Sequence, residues 1–139
     1  VAQSVRGVEY NDTLVRIAES VKNFLGRDNV FFETGDFKEY VPDEKYDIIL
    51  SFAVHQWIGL PIEKYCEKVM GMLKEGGCLF FESQDIEKDK EFEKYCWEFE
   101  DRGLEKVKEG RISDDLQIER RYVIYKDGMR NDNTFEGQE

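Results

Sequence analysis

The chain has 139 residues, 40% of them hydrophobic, with 31 acidic against 20 basic side chains and a net charge of −11. That length suits one domain able to bury a core without staples, and ten Phe, seven Tyr and two Trp exclude a disordered composition. So negative a field repels phosphate backbones, so nucleic acid is not an expected partner, and no apolar run approaches the ~20 residues of a membrane span.

Val5 to Glu9 reads as a short strand ending on an acid. Asn11 or Asp12 can cap the next helix, where Leu14, Ile17, Ala18, Val21, Phe24 and Leu25 recur at helical spacing and Gly26 fits the position past the end. Val30 to Thr34 is a second strand, closed by the turn Gly35-Asp36-Phe37. A polar connection, Lys38 to Lys45, contains Pro42. Within Tyr46 to Trp57, the apolar and β-branched run Ile48 to Leu50 predicts a strand buried on both faces. It breaks into Ser51 and Ala53, then into the only histidine, His55, and Trp57. Ligands of an open parallel sheet sit beyond the carboxyl ends of its strands, which makes this exit a candidate for chemistry. A core strand followed by a hydrogen-bonded structural histidine fits the same residues.

Pro61 suits the first turn of the next helix, whose apolar face is Ile62, Tyr65, Cys66, Val69, Met72 and Leu73, with Gly76 and Gly77 as its stop. Cys78 to Glu82 is a further apolar strand, followed by Ser83, Gln84 and Asp85. Glu87 to Arg102 reads as an amphipathic helix, with Phe92, Tyr95, Cys96 and Phe99 inward and the charged run Glu87 to Glu91 as a solvated face. After Gly103, Leu104 to Lys108 is a short strand that turns near Glu109-Gly110. Leu116 to Tyr125 alternates as a last strand, ended by Lys126-Asp127-Gly128.

The order predicts an α/β domain over residues 1–128 and a frayed polar tail over 129–139. Its sheet is mostly parallel with helices on both faces, and its last two strands form an antiparallel edge hairpin. Cys66, Cys78 and Cys96 contain no CxxC pair and read as buried free thiols in a reducing, cytoplasmic compartment. One histidine and scattered carboxylates give no metal-ligand spacing.

This pattern resembles the class I, Rossmann-like S-adenosylmethionine-dependent methyltransferases. Val8-Glu9-Tyr10 resembles the end of that family's second strand, where an acid takes both ribose hydroxyls; a carboxylate can accept two hydrogen bonds from a cis-diol. Gly35-Asp36-Phe37 resembles the turn after the third strand, where Asp meets the adenine amine and the next residue packs on the ring. Tyr46 to Ser51 resembles the fourth strand, whose exit lies beside the methionine part of the cofactor. Met72 to Leu79 resembles the "LKPGG" turn into the fifth strand, with Glu75 where proline is usual, and Arg102 to Val107 resembles the approach to the sixth.

The resemblance implies S-adenosylmethionine as cofactor, bound by Glu9, Tyr10, Gly35, Asp36, Phe37 and Ser51. The acidic composition favours a small-molecule acceptor over nucleic acid, with His55 either the general base that assists its deprotonation or a lining of the acceptor pocket. Two other classes compete: a nicotinamide-dependent Rossmann oxidoreductase with Glu9 on the adenosine ribose, and a non-catalytic methyltransferase-like module that serves assembly.

The departure is N-terminal. The family's first strand and glycine-rich loop precede the position of Glu9, where eight residues stand with one glycine, Gly7. That loop brings backbone N–H groups against the cofactor. The chain is therefore expected to be N-terminally incomplete and, alone, to hold the cofactor weakly. The Val5 and Ile48 strands are expected to lack the strand that the family places between them. Three repairs are open: an N-terminal segment outside this chain, a second copy pairing the exposed edges, or direct pairing of those two strands.

Overall fold

The computed structural model describes residues 2–113 and 118–128. The chain clusters into two compact units, Val1–Val41 and Pro42–Glu139.

The first unit is β1 (Val5–Glu9), α1 (Asp12–Phe24) and β2 (Val30–Thr34). The crossover through α1 lets the two strands run parallel, with Val5 opposite Val30 and Glu9 opposite Thr34. Asn11 caps α1, its side chain accepting the Thr13 N–H at 3.0 Å. Gly26 follows the helix at φ +61°, a conformation that an L side chain resists. Gly7 lies against Phe32, where a Cβ would meet the ring at 2.9 Å.

The second unit contains β3 (Tyr46–Phe52), α2 (His55–Ile58), α3 (Ile62–Met72), β4 (Leu73–Glu82), α4 (Phe92–Asp101), β5 (Leu104–Ser113) and β6 (Glu119–Asp127). Its sheet has the order β3-β4-β6-β5. β3 and β4 are parallel, β4 and β6 antiparallel, and β5 and β6 form the antiparallel edge hairpin. Among the described residues β1 pairs with β2 and β3 with β4, so the direct pairing of the Val5 and Ile48 strands is not made.

Period-2 alternation sends Leu79, Phe81, Val123 and Tyr125 to the face that α3 and α4 cover, where none is more than 1% exposed. Phe81 is the hub, its ring centroid 4.8 Å from His55, 5.0 Å from Phe92 and 5.3 Å from Phe99. Ile48 and Leu50 point the other way and are each 58% exposed, which corrects the expectation of a strand buried on both faces. The reason is that both long helices of this unit, α3 and α4, pack over the face that carries Ser51 and Leu79.

Three boundaries move for local reasons. α4 starts at Phe92 rather than Glu87, because Lys88 and Asp89 both donate their N–H to the Asp85 carbonyl at 2.9 Å and close a turn there. Gly76 and Gly77 fall inside the irregular start of β4, where Gly76 has φ +73° and the pairing to β3 shifts register. Gly110 sits in mid-strand opposite Tyr122, whose hydroxyl a Cβ would meet at 2.6 Å, so this glycine admits a ring and does not mark a turn. The residues expected to begin the last strand, from Leu116, and the tail from Met129 lie outside the described residues.

All three cysteines are free thiols; Cys66 and Cys96 are buried, whereas Cys78 is half-buried. Burial pushes the Cys66 thiol up to about 12 and Cys96 up to about 11, so both stay protonated. Among the described residues no helix is long and apolar enough to cross a membrane.

Phe81→Ala removes the hub of the aromatic cluster and should cost about 3–5 kcal/mol of unfolding free energy in urea titration. Trp97→Ala, at a side chain 63% exposed, should stay within about 0.5 kcal/mol. Similar losses for the two would sink this assignment of the core.

Candidate functional site

The carboxyl ends of β1 and β2 lie side by side. The Gly35 N–H continues their ladder by donating to the Glu9 carbonyl at 2.9 Å. Glu9, Tyr10, Gly35, Asp36 and Phe37 are thereby brought to one end of the first unit. One Glu9 carboxylate oxygen accepts the Asn11 N–H at 2.8 Å. No further partner of that carboxylate occurs among the described residues. Tyr10 is 78% exposed. Asp36 Oδ1 accepts the Lys38 N–H at 2.9 Å, and Lys38 Nζ lies 3.4 Å from Oδ2. That is an Asx turn, so part of the Asp36 carboxylate serves its own loop. Phe37 stacks on Tyr40 with ring centroids 6.5 Å apart. The set offers two carboxylates and an aromatic face where an open sheet receives its ligand.

Ser51 and His55 of the second unit both turn inward. The Ser51 hydroxyl is buried and bonds the Tyr65 hydroxyl, so the side chain expected to meet cofactor is spent within the core. Burial also pushes the Tyr65 hydroxyl well above its ordinary value, with the Ser51 bond pulling the other way. His55 is 1% exposed and lies among Phe81, Tyr95, Phe92 and Tyr65. Its Nε2 donates to Asp89 Oδ2 at 2.8 Å. A general base has to reach the proton that it removes. His55 has no surface with which to do so, and the expectation of a base facing the acceptor is corrected. Its Nδ1 is buried and has no hydrogen-bond partner among the described residues.

Asp89 is the residue that the sequence hid. It stands in Glu87-Lys88-Asp89-Lys90-Glu91, a run that reads as solvated, yet it is 4% exposed. Besides His55 it accepts the Gln56 side-chain amide at 2.7 Å and the Gln84 N–H at 3.1 Å. The available signal was weak: aspartate prefers turns and caps to helix interiors, and this one comes three residues before Phe92. Burial pushes the Asp89 carboxyl up, but the His55 bond and charge, then the Gln84 and Gln56 bonds, outweigh it and hold the group below its ordinary value.

A cavity of about 630 Å³ opens elsewhere in this unit, lined by Glu67, Met70, Arg102, Glu105 and Asp127. It lies where β5 begins and β6 ends, beside the start of β4 at Leu73, and so at the amino ends of the parallel strands. Ligand chemistry in such sheets belongs to the opposite end.

A family model described as a methyltransferase domain matches residues 2–127. The N-methyltransferase NodS from Bradyrhizobium japonicum WM9, solved with S-adenosyl-L-homocysteine, superposes with a TM-score of 0.72 at 12% identity, over 89% of this chain and 66% of that one. The M. jannaschii tRNA m1G37 methyltransferase gives 0.67 at 16% identity, over 93% of this chain and 39% of that one. The 4+2 cyclase SpnF gives 0.67 at 11% identity, over 91% and 66%. The chain thus spans about two thirds of NodS and SpnF and a smaller share of the tRNA enzyme. No curated protein sequence matches it. These likenesses show the fold, and a cyclase among them shows that the fold alone does not fix the reaction.

Removing Asp89 leaves the buried His55 Nε2 and the part-buried Gln56 and Gln84 donors without their acceptor, so Asp89→Ala should cost about 3–5 kcal/mol. Because the folded carboxyl titrates below the unfolded value of 3.8, its contribution is complete above that pH and fades as the folded group protonates. The wild type should therefore lose stability on acidification below pH 3.8 more steeply than Asp89→Asn. Parallel pH profiles for the two in thermal melts would contradict this.

Proposed function

Because the chain belongs to the methyltransferase-domain family, we propose that it transfers a methyl group from S-adenosylmethionine to a small-molecule acceptor. The observation that carries this reading is the grouping of Glu9, Gly35, Asp36 and Phe37 at the carboxyl ends of a parallel strand pair. The free oxygen of Glu9 suits a ribose diol, and Asp36 beside the Phe37 ring suits an adenine edge and face. When bound, the cofactor supplies an electrophilic methyl on a sulfonium. The protein's part is to orient an acceptor in line with it, which is catalysis by positioning. NodS binds S-adenosyl-L-homocysteine in the same fold, which supports the cofactor assignment.

The small-molecule assignment rests on charge. The net charge is −11, and Arg111, Arg120 and Arg121 are each paired with a glutamate. Such pairing and the net charge both weaken attraction for a phosphate backbone, although one structural neighbour is a tRNA methyltransferase. Three thiols free of disulfides fit a reducing, cytoplasmic setting. A second copy is a fitting partner, because β3 ends its sheet and presents Ile48, Leu50 and Phe52, each about half exposed.

In the whole protein, S-adenosylhomocysteine should raise the melting temperature and NAD should not. Glu9→Ala should weaken S-adenosylhomocysteine binding by about tenfold or more, the loss expected for one charge-assisted hydrogen-bond acceptor. Stabilisation by NAD instead would favour an oxidoreductase. For the self-association reading, sedimentation equilibrium should show a dimer that Leu50→Lys weakens by at least about tenfold; a monomer at high protein concentration ends that idea.

A further inference from the structure

Ala53 is the first residue past β3, and its φ of +54° is the only positive value at a non-glycine residue among the described residues. That conformation is costly for an L side chain and persists only where the surroundings over-determine it. The surroundings here do so. The Ala53 N–H donates to the Glu82 carbonyl at 3.0 Å, and the Ala53 carbonyl accepts the side-chain amide of Gln84. Gln84 is itself held through its backbone N–H by Asp89. The same carboxylate holds His55 and Gln56, two and three residues beyond the turn. α2 has no side-chain cap of its own. The exit of β3 and the exit of β4 therefore hang on one buried carboxylate, at the end of the sheet where ligands bind.

We propose that Asp89 is a positioning residue. Acting through His55, Gln56 and Gln84, it holds the Ala53 turn, at the ligand end of the second unit's sheet, in the shape that S-adenosylmethionine binding requires, and it touches no ligand itself. This rests on the methyltransferase reading above. It gives the chain's only histidine a part that needs no access to solvent, and it supplies side-chain bonds to α2, a single turn without a side-chain cap.

The test is calorimetric titration of S-adenosylhomocysteine into the whole protein, well below the melting temperature of every variant used. Asp89→Asn and Gln84→Leu should each weaken binding by about tenfold while the protein stays folded. Amide exchange at Ala53 should accelerate in both, since each loosens the turn without removing its N–H. A residue that only stabilises the fold would lower the melting temperature and leave the dissociation constant unchanged in the folded protein. Binding within about twofold of wild type in both variants overturns the proposal. If Asp89→Asn does not fold, Gln84→Leu decides alone, because it breaks the bond to Ala53 and leaves the Asp89–His55 pair intact. If the wild-type protein binds no S-adenosylhomocysteine, the methyltransferase reading fails first and takes this one with it. Normal wild-type binding with indifferent variants fails this one only.

Discussion

A carboxylate taken out of water costs several kcal/mol unless its lone pairs are satisfied, and Asp89 is satisfied three times over. Much of the second unit follows from that requirement. The chain after β4 cannot run straight into a helix, because Asp89 has to turn inward toward His55 and Gln84. α4 therefore begins at Phe92, and Phe92, Tyr95 and Phe99 arrive in phase to close over Phe81. The aromatic core and the polar clamp are two sides of one arrangement, since the His55 ring belongs to both.

The ligand ends of the two strand pairs are built by different means. At β1 and β2 the backbone ladder does the work, running on from Thr34 to Gly35 so that Glu9 and Asp36 arrive together. At β3 and β4 the ladder ends with the Ala53 N–H, and side chains take over. Backbone pairing is generic, and any strand of the right length supplies it. Side-chain clamping is specific, and the residues that supply it are not interchangeable with other polar ones.

This difference decided what the sequence revealed. The strands, the three longer amphipathic helices and the edge hairpin follow from periodicity, and their order sufficed to suggest the family. The placement of Glu9 and Asp36 at the ends of β1 and β2 was legible because strand ends are local features. His55 was found but misplaced: a lone histidine after a strand carries no mark of which way it points. Asp89 was invisible, since its charge blended with Glu87, Lys88, Lys90 and Glu91, and only the fold shows that it alone turns in. Gly110 misled for a similar reason. A glycine beside an acid suggests a turn unless one knows that a tyrosine ring lies over it.

The distribution of thiols makes the protein its own probe of opening motions. Cys78 lies half-covered on β4, whereas Cys66 on α3 and Cys96 on α4 are sealed and protonated beneath the helix layer. An alkylating reagent thus meets one address on the closed molecule and two that answer only when α3 or α4 lifts away. The ratio of slow to fast labelling measures the free energy of that local opening, separately from global unfolding. The helix layer reports on itself without an introduced label.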